Sequence, residues 1–270
     1  MVQLQASTIG ATNSCADIPT TREIGDFLAG YAALLLGSGA TCIRLEKNVQ
    51  RMAAKWNARI SMTIMPRHIH LFVAGPEGDC QTFISSIDKT LISYDIITRL
   101  SKLSWKVADR NLSLAEARDI FESVRETPCA NKWWVLLAAS CANASFCRLF
   151  GGDIRAMVIV FAATMAGYYL KQIMLGARCD VRLTFIACSF VSAVLAAAGY
   201  LFSLGDTPDI ALATSALYLV PGIPFLNSFS DLIAGHYICF FSRLTDAVIL
   251  TCCLSTGLCL GMKLMNIGMF

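Results

Sequence analysis

Leu183-Thr-Phe-Ile-Ala-Cys-Ser-Phe-Val-Ser-Ala-Val-Leu-Ala-Ala-Ala-Gly-Tyr-Leu-Phe-Ser-Leu204 carries no charge along its whole length. A helix of about 20 apolar residues, rising ~1.5 Å each, crosses the roughly 30 Å hydrocarbon core of a bilayer. This run alone predicts a membrane span. Working outward, four more apolar runs lie at 133–150, 154–170, 210–226 and 244–262. They are shorter and would also suit buried core helices. Their succession, separated by tight polar or glycine turns, favours spans. Of 22 basic and 19 acidic residues, only seven and six fall in 133–270. The chain therefore reads as two halves: residues 131–270 as an all-α membrane domain of about five helices, and residues 21–130 as a soluble α/β domain. Residues 1–20 are polar and rich in Ser, Thr and Ala, as a loose tail would be.

A net charge of +3 with both signs interspersed gives no basic stripe, which excludes a nucleic-acid partner. The 12 cysteines form no C-x-x-C pair. Most sit in or beside apolar runs, where Cys acts as a small apolar residue. Free Cys42 and Cys80 in the first half point to a reducing cytosol. The opening Met-Val-Gln-Leu-Gln-Ala-Ser lacks the basic and apolar regions of a secretory signal. The α/β domain is thus expected in the cytoplasm. Loop 171–182 holds Lys171, Arg178 and Arg182, and loop 227–243 ends at Arg243, whereas loop 205–209 holds Asp206 and Asp209. That bias predicts an inner-membrane protein with its N-terminus inside and C-terminus outside. Arg148 and Arg155, around the turn at 151–153, run against it.

In the first half, Ile24, Phe27, Leu28, Tyr31, Leu34 and Leu35 recur at helical spacing, with Thr21 as cap and Gly37 as stop. A second helix is expected from Ala40 to Trp56. Ser61–Met65 and His68–Val73 read as a hairpin around Pro66-Arg67. A third strand is expected within 81–93, centred on Lys89–Ser93. Helices follow over Ile96–Ala108 and Leu114–Val124, the latter opened by a Ser113/Glu116 capping box.

Little in this half suggests chemistry. His68 and His70 share a strand face, but neither a Cys nor an acid joins them at metal-ligand spacing. Gly37-Ser-Gly39 lacks the lysine of a phosphate loop, and no nucleophile motif occurs. No catalytic residue, metal or cofactor is expected.

The membrane half says more. Leu219-Val-Pro-Gly-Ile-Pro224 places two prolines and a glycine inside an apolar stretch. Each proline removes a backbone donor and breaks the helix, which lipid tolerates only against protein or a wet cavity. Such breaks recur in transporter sites. Asn227 and Asp231 follow, four apart on one helix face. An ionisable group at membrane depth is costly and usually lines a polar cavity. The alternative is that Pro221–Pro224 marks the membrane surface and Asp231 sits in an interfacial helix. Asp246 lies three residues after Arg243, which suggests a local ion pair. Asn143, with Ser140 and Ser145, could line a route or pack helices. Gly151-Gly152-Asp153 reads as a tight turn.

These residues bring out a resemblance. Gly39-Ala40-Thr41-Cys-Ile-Arg44-Leu-Glu46 is similar to the Gly-Ala-x-x-x-Arg-x-Glu of the threonine/serine exporter (ThrE) family, in its short five-span, YjjP-like branch. Phe150-Gly-Gly-Asp153, Pro221-Gly222 with Asn227, Asp231 and Gly235, and Arg243-Leu-Thr-Asp246 match further family motifs. Two positions depart: Ser230 stands where the family has Arg, and His236 where it often has an acid. The resemblance implies proton-coupled export of small hydrophilic metabolites, such as threonine, serine or succinate. It also implies a second five-span (YjjB-like) membrane subunit, encoded separately or fused in longer members. A lone five-span unit has no inverted half and must find one, from that subunit or a second copy. On this reading Asn227 and Asp231 carry the substrate and proton route at the Pro221-Gly222 break, with Asp246 and Asn143 as lesser lining groups. Asp231 takes and releases the proton. Gly39, Ala40, Arg44 and Glu46 are structural or gating residues. The alternative is a membrane-anchored sensor or hydrolase whose ligand site lies in residues 21–126.

Overall fold

The computed structural model describes residues 19–75, 78–88, 92–128, 130–202 and 206–267. All but the last two residues of the polar segment 1–20 lie outside that set. Helix α1 (Thr21–Gly37) opens on a capping box between Thr20 and Glu23. The cap is thus one residue earlier than expected, because Thr20 is the position three residues before an acid that can reach back. Helix α2 (Cys42–Lys55) follows a turn at Gly39, whose φ of +95° suits glycine. Strands β1 (Arg59–Ile64), β2 (His68–Ala74) and β3 (Cys80–Ser86) form one antiparallel sheet in the order β1-β2-β3. His70 sits opposite Thr63 and Ile84.

The third strand runs over Cys80–Ser86, at the start of the expected stretch 81–93. Residues 89–91 lie outside the described set, and Ser93 caps helix α3 (Tyr94–Arg110). The position is set beside Gly75, whose N–H donates to Asp79 O at 2.9 Å and locks the pairing with β2. Helix α4 (Leu114–Arg125) has the expected Ser113/Glu116 box. One sheet face packs on α1 so closely that a Cβ at Gly25 would overlap the Phe83 ring. The core beneath joins Ile24, Leu28 and Tyr31 of α1 to Met52, Leu71 and Leu100, all fully buried. Inside it the Tyr31 hydroxyl donates to Leu100 O at 2.9 Å and accepts from Asn48. The other sheet face leaves Phe72 and Ile84 exposed.

The second half is helical: α5 (Lys132–Leu149), α6 (Ile154–Gly176), α7 (Val181–Leu201), α8 (Pro208–Ser215), a single 3-10 turn (Leu217–Leu219), α9 (Gly222–Ile233) and α10 (Tyr237–Leu264). Among the described residues, α6, α7 and α10 are each long and apolar enough to cross a membrane. The fourth apolar run is not one straight helix. It bends by 60° between the α8 segment and α9, at Val220-Pro221, and reaches span length only as a pair. Helix α5 is less apolar than α6, α7 and α10, since Lys132, Arg148 and Asn143 lie along it. The structure thus holds three or four candidate spans. Asp153 is more than a turn residue: it caps α6 through the Ala156 N–H and accepts from Thr207 Oγ1 at 2.9 Å, tying two loops together. Helices α7 and α10 touch backbone to backbone, because a Cβ on Gly261 would lie 3.1 Å from Phe190 O and one on Gly257 would overlap Ile186 O. Small residues permit that approach in apolar bundles.

Candidate functional site

The two halves meet where the α1–α2 turn touches the α9–α10 elbow. Asn227 of α9 donates its side-chain N–H to Gly39 O at 2.8 Å. Arg243 of α10 donates to Ala40 O at 2.8 Å. The Cys42 N–H, at the start of α2, donates to Asp231 Oδ1 at 2.9 Å. Asp231 is fully buried, and its Oδ2 lies 3.0 Å from Arg243 Nη1. The local reason is a missing cap. Thr41 stands at the N-cap of α2 but makes no side-chain bond there. Asp231 supplies an acceptor instead, and the partial positive charge of the helix N-terminus suits a carboxylate. A buried charge must be paired and hydrogen-bonded to be tolerated, and here Arg243 and the helix end do both.

A second polar contact flanks the first. His236 Nε2 lies 3.4 Å from Glu46 Oε1, and the His236 N–H donates to Asp231 O at 2.8 Å. Cys239 donates its thiol to Ile64 O at 3.6 Å, carrying α10 onto the end of β1. The Cys42 thiol is pushed well above its ordinary value by its hydrogen bond with Cys239, by burial and by the Asp231 charge. It is held protonated.

Beside this cluster lies a cavity of about 230 Å³, whose wall includes Gly39, Ile92, Pro224, Asn227, Arg243 and Asp246. It is smaller than the ~300–1,000 Å³ of pockets for drug-sized ligands, which suits a metabolite of few atoms. Its chemistry is one guanidinium, one carboxylate, one amide, one hydroxyl and one thiol against an apolar wall.

Gly39, Ala40 and Glu46 from the first half thus converge with Asn227, Asp231 and Asp246 from the second. Pro221 sits at the N-cap of α9 and Gly222 is its first residue, so the two set the helix that carries Asn227 and Asp231. Arg44 is exposed on α2. Asn143 is buried elsewhere, donating to Thr164 Oγ1 at 2.6 Å and Thr214 O at 3.1 Å between α5, α6 and α8. Sequence reasoning set Arg243 against Asp246 by spacing and did not foresee its pairing with Asp231. It also missed Cys42, whose contribution is a backbone N–H with no side-chain signature.

The arrangement is that of a polytopic membrane protein in which an N-terminal α/β layer is clamped by buried charges to a broken helix. The family profile described as "Putative threonine/serine exporter" matches residues 26–265, and the chain belongs to that family. It is similar to a protein of Klebsiella aerogenes named "Probable succinate transporter subunit YjjP", 23% identical over 252 residues, covering 92% of this chain and 96% of that one. The protein of the same name from Escherichia coli K12 is 29% identical over 136 residues, 49% of this chain and 52% of the relative. A "Probable threonine/serine exporter" of Mycobacterium tuberculosis is 21% identical over 249 residues, 90% of this chain but 46% of that longer protein. No solved structure matches.

Proposed function

We propose that this chain is one subunit of a proton-coupled exporter that carries small carboxylate-bearing metabolites out of the cytoplasm across the inner membrane. Threonine, serine and a dicarboxylate such as succinate are the substrate classes; both names carried by the relatives denote carboxylates. Residues 21–130 form the cytoplasmic domain and 131–270 a five-helix membrane domain, with α5 and the bent α8–α9 pair completing the spans. The N-terminus is inside and the C-terminus outside. The word "subunit" in two relatives' names supports a second membrane subunit, as does the odd number of spans, which leaves the chain without an inverted half.

One observation carries this reading: a fully buried Asp231, paired with Arg243, beside a cavity at the helix break. A proton taken up by Asp231 cancels its pair with Arg243. The guanidinium then faces the cavity and accepts a substrate carboxylate in its place, bidentate geometry favouring that exchange. Loss of the proton restores the pair and expels the substrate. The α1–α2 turn, held by the same side chains, follows each exchange. The polar side chains of α9 and α10 join backbone groups of the α1–α2 turn at the junction of the two halves, rather than gathering within residues 21–126 alone, which favours transport over sensing.

The test is efflux of threonine, serine and succinate from preloaded cells expressing the chain with its partner, at matched protein levels. Asp231→Asn should insert normally yet lose gradient-driven efflux, because an amide cannot exchange a proton. Asp153→Asn should do much less. Efflux by Asp231→Asn at the unmodified rate, with unchanged pH dependence, defeats the proposal.

A further inference from the structure

Away from the junction, α6 and the elements beside it carry a second polar set. On α6, Thr164, Tyr168 and Lys171 recur at spacings of four and three, which places them on one helix face. Thr164 is fully buried and accepts from Asn143 at 2.6 Å. One turn along, Ser192 of α7, also fully buried, meets the Tyr218 hydroxyl at 3.0 Å. Gly167 leaves room for both hydroxyls; a Cβ there would overlap each. The Tyr168 and Tyr218 rings lie 6.0 Å apart. At the end of this row stands Lys171, half-buried, five residues before the end of α6. Its ammonium lies 5.5 Å from the centre of the Tyr168 ring and 5.3 Å from that of Phe185. Among the described residues no carboxylate forms an ion pair with it.

A cation inside an apolar helix is costly, and aromatic faces compensate it only in part. The row that leads from it offers hydroxyls, groups that satisfy carboxylate oxygens. We propose that Lys171 receives the carboxylate of a small organic acid or amino acid, as one end of an intramembrane polar track through Tyr168, Tyr218, Ser192, Thr164 and Asn143. This site is separate from the Asp231 cavity. Tyr218 belongs to the 3-10 turn just before the break at Pro221. A ligand on the track therefore bears on the start of α9, the helix that carries Asp231. The inference rests on the exporter reading only for the direction of ligand movement; binding stands without it.

The test uses the full chain in phosphatidylcholine nanodiscs and calorimetric titration with succinate, threonine and the neutral analogue succinamide. The unmodified chain should bind at least one of the two carboxylates and not succinamide. Lys171→Gln should weaken that binding at least tenfold, while Lys171→Arg stays within about threefold, since the charge and its aromatic seat are kept. The bound carboxylate should also protect Lys171 from reductive methylation, read by mass spectrometry; this arm needs no substitution and so no assumption about folding. Three results each overturn the proposal: no carboxylate binding, unaltered affinity in Lys171→Gln, or unprotected Lys171. Loss of binding when phosphatidylglycerol enters the disc overturns it too, because the anion held is then a lipid headgroup. Binding that disappears in Lys171→Gln, in a chain that gives no efflux even when expressed with its partner, would sink the exporter reading and leave this site standing.

Discussion

Replacing Asp231 by alanine should loosen the α/β layer from the membrane helices while leaving each folded. Two groups lose their partner: the Cys42 N–H at 2.9 Å and Arg243 at 3.0 Å. Breaking a fully buried ion pair costs ~3–5 kcal/mol, and an orphaned buried N–H adds to it. Arg243 is 20% exposed and keeps its bond to Ala40 O, so water and that carbonyl recover part of the loss. The lower end, about 3 kcal/mol, is therefore expected. At roughly 1.4 kcal/mol per tenfold, that is about a hundredfold shift in the opening equilibrium of the junction. Amide hydrogen exchange reads it directly, because the Cys42 N–H can exchange only when the contact with Asp231 opens. Exchange at Cys42 should accelerate about a hundredfold in Asp231→Ala, with amides of α4 unchanged. Asp231→Asn retains an acceptor oxygen and should show about a tenfold effect. If Cys42 exchanges in Asp231→Ala as it does in the unmodified chain, Asp231 does not clamp the junction and the reasoning fails.

Other consequences are simpler to check. Gly257→Ala drives a methyl into Ile186 O and should lower stability by about 1–3 kcal/mol, seen as a lower thermal midpoint in detergent. Asn143→Ala removes both bonds that join α5 to Thr164 and Thr214 and should cost about 1 kcal/mol by the same measurement, without altering exchange at Cys42. Glu116 accepts from the Ser113 backbone N–H and hydroxyl, which hold its carboxyl below the usual value. A depressed carboxyl stabilises the fold above its unfolded value, near 4.5, and that contribution is lost as pH falls through the lower folded value. Exchange protection of α4 should therefore drop on acidification, and Glu116→Gln should flatten that dependence.

The features legible in the sequence are those whose causes are local. The Ser113/Glu116 box, the stop at Gly37 and the uncharged run in α7 each sit within a few residues of what they determine. The helix break was legible too, since Pro221 and Pro224 act on their own backbone. Strand β3 was only partly legible because Cys-Gln-Thr-Phe-Ile-Ser-Ser is half polar, and only pairing with β2 makes it a strand. The site was half legible. Spacing put Asn227 and Asp231 on one face of α9, but their partners are the carbonyl of Gly39 and the N–H of Cys42, which every residue but proline could supply. Arg243 shows the same limit: spacing relates it to Asp246, three residues away, but gives no sign of Asp231 across the elbow, which it meets at 3.0 Å.

The three bonds of that clamp join residues 188, 189 and 203 positions apart. During synthesis at ~5–20 residues per second, the α1–α2 turn emerges roughly ten to forty seconds before α9 and α10 exist. Through that interval the start of α2 lacks its acceptor, and the apolar surface that Cys239 later covers is bare. The nascent chain is thus open at the place where it will close last. Closure cannot precede synthesis of Arg243, so the finished junction reports that the first two turns of the last helix have been made.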